Sequence, residues 1–451
     1  MRVIRSKESF LSRLRLILLS FIIVSPALIP GFTYGYASIA LPQLRLNLSD
    51  ASWFGSFSII GCFFGSLASG YIIDKHGRKA CLVVSIIPSV IGWYCLSREY
   101  TPFLGNTGRF LTGLTSGATS YASSVYLAEC IVRHRLKVRS SFATWSAVAI
   151  TFGVCVVYIL GSFLPCETVA LIFAILSLIF GLLLVVFIPE SPIWLYQKGR
   201  IGDAEYAMKY LRLYTLISEI EEKPNLAGDV DKSAYADGAL GLLRRKDVYK
   251  PLIMTTTLLC FSMLSGGMVL VTYMVDTIKT KTIDLESAYQ YANLSGVLQF
   301  LISASIAFIL PYTGNRKPTL FSGFGMAIGM ALIAVTSSIE NVEYQREIDI
   351  ARAISVIFCI SMFSFGYLTL PGALLGEVFP VEAQGLASIP SLLSFLVNCT
   401  TIKAHLWLYT SHGGGIFYFY AFVNVIGTIV VYFVMPETVG RTLEEIRNDF
   451  L

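Results

Sequence analysis

The stretch Gly70-Tyr71-Ile72-Ile73-Asp74-Lys75-His76-Gly77-Arg78-Lys79 ends one uncharged run, residues 52–73, and opens onto another, residues 80–97. Runs of about twenty apolar residues are long enough to cross the hydrocarbon core of a bilayer as helices. The few residues between them are almost all ionic, so the turn has to stand in water. A hairpin of two membrane-crossing helices is the reading this stretch allows.

The same alternation extends in both directions. Twelve spans are expected, at roughly 15–36, 52–73, 80–97, 103–127, 141–161, 168–188, 251–275, 288–310, 318–337, 350–375, 387–409 and 416–435. Composition agrees with an all-α membrane protein. Of 451 residues, 55% are hydrophobic and 14% charged, with a mean hydropathy of +0.67. Soluble chains carry about a quarter charged residues. That excludes a soluble enzyme, a nucleic-acid binder and a disordered scaffold. No nucleophile–base pair, metal cluster or phosphate-cradling loop stands out, so neither catalysis nor a cofactor is expected. The four histidines suit no metal site by spacing.

The basic amino-terminal stretch (Arg2, Arg5, Lys7, Arg13, Arg15) precedes an apolar run reaching Tyr36, too long for a cleavable signal, and is taken as the approach to the first span. With this terminus inside, 26 of the 34 Lys and Arg fall on inner segments. Such a bias orients a multi-pass protein with both termini cytoplasmic. The net charge of +5 is therefore topological and does not imply a nucleic-acid partner. The nine cysteines lie mostly in or beside apolar stretches, and Cys166 alone is expected to be exposed in a loop. Lys403 is expected to snorkel. Asn47-Leu48-Ser49 is a glycosylation sequon in an expected outer loop.

The longest polar stretch, residues 189–250, divides the spans six and six. The organisation expected is a bundle over 1–188, a cytoplasmic linker over 189–250 and a second bundle over 251–451. Within the linker, Ala204, Ala207, Met208 and Leu211 recur at helical spacing. The halves echo one another. Gly77-Arg78-Lys79 is matched by Gly314-Asn315-Arg316-Lys317, Glu129 by Glu377, and Pro189-Glu190-Ser191 by Pro436-Glu437-Thr438. Duplicated halves around a midplane site are a recurring architecture of secondary transporters.

These residues resemble the major facilitator superfamily, and within it the sugar porter family. The loop from Gly70 to Lys79 is similar to the superfamily signature. Arg109-Phe110-Leu111-x-Gly113, Val125-Tyr126-x-x-Glu129, Pro189-Glu190-Ser191-Pro192 and Pro436-Glu437-Thr438-x-Gly440-Arg441 are similar to the sugar porter signatures. The segment from Phe365 to Pro380 is most similar to insect trehalose transporters. The resemblance implies twelve transmembrane helices in two six-helix pseudo-repeats, and a plasma-membrane facilitative transporter moving a sugar by alternating access. It also implies an inner gate of ionic residues: Asp74, Arg78, Glu129, Arg139 and Glu190 in the first half, Glu377, Glu437 and Arg441 in the second. The second half departs from the pattern, with Pro311 in place of Asp and Asn315 in place of Arg.

Two further expectations follow from that resemblance. Thr33 stands where proton-coupled sugar porters carry Asp, and no Asp or Glu lies deep in a span, so uniport is expected rather than symport. The sugar site is thinned. Ala147 occupies the span-five Gln position, Gly372 the span-ten Trp position, and only Ser265 and Gly266 survive of the span-seven pattern, beside Met263 and Met268. The substrate-binding candidates are Gln299, Ser262, Ser265, Thr33, Tyr34, Tyr273 and Asn293. Gln299 ranks first, because a buried amide needs partners. Two alternatives stay open: a carrier of a less polar organic solute, and a non-transporting sensor with a degenerate site.

Overall fold

The computed structural model describes residues 19, 21–131, 144–211, 245–339, 343–370 and 388–437, with 372, 374, 378 and 386 between the last two stretches. Among them there is helix and no strand, as a bilayer requires of a chain that satisfies its backbone within each segment. The first half comprises α1 (Leu28–Leu44), α2 (Leu48–His76), α3 (Arg78–Leu96), α4 (Pro102–Ile131), α5 (Trp145–Phe163) and α6 (Cys166–Phe187). Two short helices follow, α7 (Pro192–Gln197) and α8 (Ile201–Leu211).

In the second half, span seven is broken into α9 (Lys246–Leu264), α10 (Gly267–Thr272) and α11 (Met274–Ile278). Then come α12 (Leu285–Thr313), α13 (Arg316–Ser338), α14 (Gln345–Met362) with a π-helical turn over Phe363–Tyr367, α15 (Ser388–His412) and α16 (Ile416–Val434). Nine described helical stretches are long and apolar enough to cross a bilayer, and the last, Ser388–Val434, contains both α15 and α16. The Gly-, Ser- and Thr-rich α4 is long enough but not among them.

The duplication is sharpest between α2 and α12. Each has 29 residues, and their boundaries are offset by the same 237 positions. Asn47 caps the first by accepting from Asp50 N at 2.8 Å, and Asp284 caps the second by accepting from Ser287 N at 3.3 Å. Glycine ends both, Gly77 at φ 102° and Gly314 at φ 78°, conformations that a side chain resists. Within the first half, α2 and α4 touch backbone to backbone. A Cβ on Gly61 or Gly65 would strike carbonyls of α4, and one on Gly113 or Gly117 would strike carbonyls of α2.

Three expectations are corrected. The first span runs on to Leu44, past Pro42, and stops where Arg45 turns left-handed at φ 48°. Cys166 is buried, because it opens α6 beneath Gln43 and Tyr36: its N–H donates to Gln43 Oε1 at 2.8 Å and its carbonyl accepts from Tyr36 Oη at 3.1 Å. Lys403 does not snorkel but reaches across to the other half, as described below. The apolar positions Ala204, Ala207, Met208 and Leu211 are all buried on α8. They join Trp194, Leu195, Ile73, Tyr126 and Leu184 in a cluster at the end of the first half that bears Arg78.

Candidate functional site

At that motif end, Arg78 is clamped. Its Nε lies 2.9 Å from Glu129 Oε2 and its Nη2 2.6 Å from Oε1, a forked geometry that a single point charge would not give. Ser191 Oγ donates to the same carboxylate at 2.5 Å. The Glu190 carboxylate completes the arrangement. Helix α3 begins at Gly77, which has no side chain to cap it. Glu190 Oε1 accepts from the N–H groups of Arg78 (2.9 Å), Lys79 (3.0 Å) and Ser191 (2.9 Å), placing an anion at the helix amino terminus where the dipole favours it. The Asp74 side chain is exposed beside this cluster, while its carbonyl accepts from Trp194 Nε1 at 3.2 Å.

The second half repeats the placement in looser form. A Cβ on Gly314 would strike the Glu437 carboxylate, as one on Gly77 would strike Glu190. Glu437 Oε1 is buried without a hydrogen-bond partner among the described residues. Arg316, next to the Asn315 substitution, donates to the Tyr432 carbonyl and stacks on that ring at 5.2 Å. Arg139, Glu377 and Arg441 lie outside the described residues.

A second centre sits inside the first half. Arg109 is 1% exposed. Its guanidinium donates to Thr33 O (2.6 Å), Phe54 O (3.1 Å) and Ser58 Oγ (2.8 Å), tying α1, α2 and α4 together. It also lies 5.3 Å from the Phe54 ring centroid. All three acceptors are neutral, and among the described residues no ion pair involves Arg109. Thr33 is drawn into the same knot. Its hydroxyl donates to Ile29 O at 3.0 Å and accepts from Ser116 Oγ at 2.9 Å.

The other solute candidates fall into three groups. Ser262 and Ser265 brace the break in span seven: Ser262 Oγ donates to Tyr367 O and Ser265 Oγ to Ser262 O, each at 2.6 Å. Asn424 Nδ2 steadies the same break by donating to Ser265 O at 2.9 Å. Tyr273 and Asn293 lie where the halves meet. Tyr273 Oη donates to Ile402 O at 3.4 Å beside Gly55 of α2, and Asn293 Nδ2 donates to Ser162 Oγ at 3.1 Å. Tyr34 and Gln299 remain. Tyr34 is half-buried with its hydroxyl 3.7 Å from Cys62 Sγ, and Gln299 is buried with its amide oxygen unpartnered among the described residues.

The end opposite the motif loops is sealed by bonds between the halves, which the sequence did not reveal because the partners lie more than a hundred residues apart. Gln43 Nε2 donates to Tyr289 Oη (3.2 Å), Tyr158 Oη to Val271 O (2.8 Å) and Val275 N to Ser38 Oγ (3.2 Å). Lys403 Nζ donates to Ser52 Oγ at 2.8 Å and lies 3.5 Å from the Trp53 ring centroid. A cation held over an indole is worth about 1–2 kcal/mol when partly desolvated. Lys403→Met is therefore expected to loosen this end. Maleimide labelling of a cysteine placed at Asn293 should become several-fold faster, and an unchanged rate would deny Lys403 a part in the seal.

Two repeated helical bundles, sealed together at one end and carrying paired ionic loops at the other, define a multi-pass membrane protein of the major facilitator type. The chain belongs to the sugar transporter family: the profile described as "Sugar (and other) transporter" matches residues 26–450. Sugar transporter ERD6-like 6 of Arabidopsis thaliana is 30% identical, over 93% of this chain and 87% of its own. Facilitated glucose transporter member 8 of Bos taurus is 27% identical over 93% and 91%, and facilitated trehalose transporter Tret1 of Apis mellifera ligustica 27% identical over 96% and 88%. Among solved structures, the proton:xylose symporter XylE bound to 6-bromo-6-deoxy-D-glucose superposes with a TM-score of 0.80 at 20% identity, covering 98% of this chain and 100% of that one. Its likeness carries the fold.

Proposed function

We propose that this protein is a facilitative sugar transporter of the plasma membrane, moving its solute without a coupled proton as the two halves rock about a midplane site. The motif end, which carries most of the basic residues, faces the cytoplasm together with both termini. Asp74, Arg78, Glu129, Arg139 and Glu190, with Glu377, Glu437 and Arg441, form the inner gate around an intervening linker over 189–250. The seal at the opposite end closes the outer gate.

The observation that carries this reading is Gln299. A buried amide oxygen without a partner is costly, and a sugar hydroxyl is the donor that would satisfy it. Uniport is supported by the neutral knot around Arg109 and Thr33, where, among the described residues, no carboxylate joins the bonds. The relatives named for glucose and trehalose transport agree with a sugar as solute. Ser262 and Ser265, spent on bracing span seven, favour the rival reading of a less polar solute. Uptake of labelled trehalose, glucose and polyols into proteoliposomes separates the two. Sugar flux is expected, with Gln299→Ala raising KM about tenfold, the equivalent of one lost hydrogen bond. No flux of any of these, or a Gln299→Ala protein with unchanged kinetics, would sink the reading.

A further inference from the structure

Gln299 is not the only orphan on its helix. Ser295 (0% exposed), Gln299 (1%) and Ser303 (0%) follow one another at intervals of four residues along one face of α12. Among the described residues, Ser295 Oγ, Gln299 Oε1 and Ser303 Oγ are all buried without hydrogen-bond partners. Most buried hydroxyls of the second half are engaged, with Tyr367 Oη and Ser337 Oγ the other exceptions among the described residues. There, the buried hydroxyls of Ser262, Ser265, Thr272, Ser322 and Thr401 each donate to a carbonyl.

The duplicated helix shows what is missing. On α2, the positions 237 residues earlier are Ser58, Cys62 and Ser66, and the first two are engaged: Ser58 Oγ accepts from Arg109 at 2.8 Å and Cys62 Sγ lies 3.7 Å from Tyr34 Oη. The offset relating Glu129 to Glu377 makes Ile357 the counterpart of Arg109, an apolar residue in place of a guanidinium. Neighbouring positions locate the face. Gly296 packs on Cys155 and Tyr158 of α5, and the Phe300 ring lies 5.0 Å from that of Phe152, both across the boundary between halves. Further along the stripe, Ile306 and Leu310 pack with Phe365 and Leu370, at the π-helical turn of span ten. The ladder therefore runs next to the face of α12 that meets the first half, and in line with residues packed on an irregular helix, a common setting for functional sites.

We infer that Ser295 and Ser303 contact the solute on either side of Gln299, and that the site takes a neutral sugar of two linked rings standing along α12. The inference rests on the sugar-transport reading and specifies the solute within it. Three polar groups separated by eight residues of helix cover about 12 Å, more than one pyranose ring can reach. Serine hydroxyls both donate and accept, and the amide oxygen accepts, so alternating sugar hydroxyls satisfy all three.

The test uses the purified protein in proteoliposomes, with trehalose and glucose as probes. Ser295→Ala and Ser303→Ala should each raise KM for trehalose about five- to tenfold with kcat little changed. For glucose, at most one of the two should do so, because a single ring reaches only one rung besides Gln299. Removing an orphan hydroxyl should leave the solute-free Tm at or above that of the unsubstituted protein, while the Tm rise caused by trehalose shrinks. Two normal KM values with an impaired Gln299→Ala would overturn the ladder and leave the sugar site standing. Equal losses for glucose with both variants would overturn the two-ring assignment. A Gln299→Ala protein with normal kinetics would overturn the site itself.

Discussion

Arg109→Ala is expected to destabilise the protein by about 3–5 kcal/mol and to abolish transport. The substitution leaves the carbonyls of Thr33 and Phe54 and the hydroxyl of Ser58 without their donor, in a site that water does not reach, and it empties the space beside the Phe54 ring. Arg109→Lys should recover only part of this loss. An ammonium is a point charge and cannot span three acceptors on two helices as a guanidinium does. Thermal unfolding in detergent, followed by flux in proteoliposomes, reads both effects. A Tm within a degree of the unsubstituted protein for Arg109→Ala would show that the knot does not hold the first half together.

The second large effect concerns the two loop glycines. At φ 102° and ψ 170°, Gly77 occupies a region that costs a side chain about 1–3 kcal/mol, and a Cβ there would also strike the Glu190 carboxylate. Gly77→Ala therefore has to strain the turn or expel Glu190, uncapping α3 and disturbing the Arg78–Glu129 clamp beside it. A loss of about 3 kcal/mol or more is expected, with little protein reaching the membrane. Gly314→Ala meets the same strain and strikes Glu437, but Glu437 Oε1 holds no hydrogen bond among the described residues, so its cost should be smaller. Gly70→Ala is the internal control. That glycine sits mid-helix with open space around it, and alanine there should be neutral or slightly stabilising. Expression and Tm of the three variants should rank Gly77→Ala worst and Gly70→Ala mildest, and any other order would contradict the capping role assigned to Glu190.

How much of this was legible in the sequence depends on the range of the interaction. The hairpin from Gly70 to Lys79 announces itself, because uncharged runs around an ionic turn have one stable arrangement in a bilayer. The pairing of Gly77 with Glu190 and Gly314 with Glu437 is visible as a repeated mark, although not as a carboxylate capping a helix that lacks its own cap. Arg109 is legible as part of a signature, but its acceptors on α1 and α2 are not. The far-end seal was not legible: Lys403 over Trp53 and Gln43 against Tyr289 join residues that share no motif or period. Ser295 and Ser303 were equally silent. A serine in a span ordinarily bonds to the preceding turn, and only the structure shows that these two do not.

The central claim is that sugar crosses the membrane through this protein without a proton. Flux of labelled sugar into proteoliposomes, measured with and without an inward proton gradient, tests it most directly. The account predicts saturable uptake that stops at equal concentration on both sides and is the same in both conditions. Accumulation above the external concentration, driven by the gradient, would contradict it.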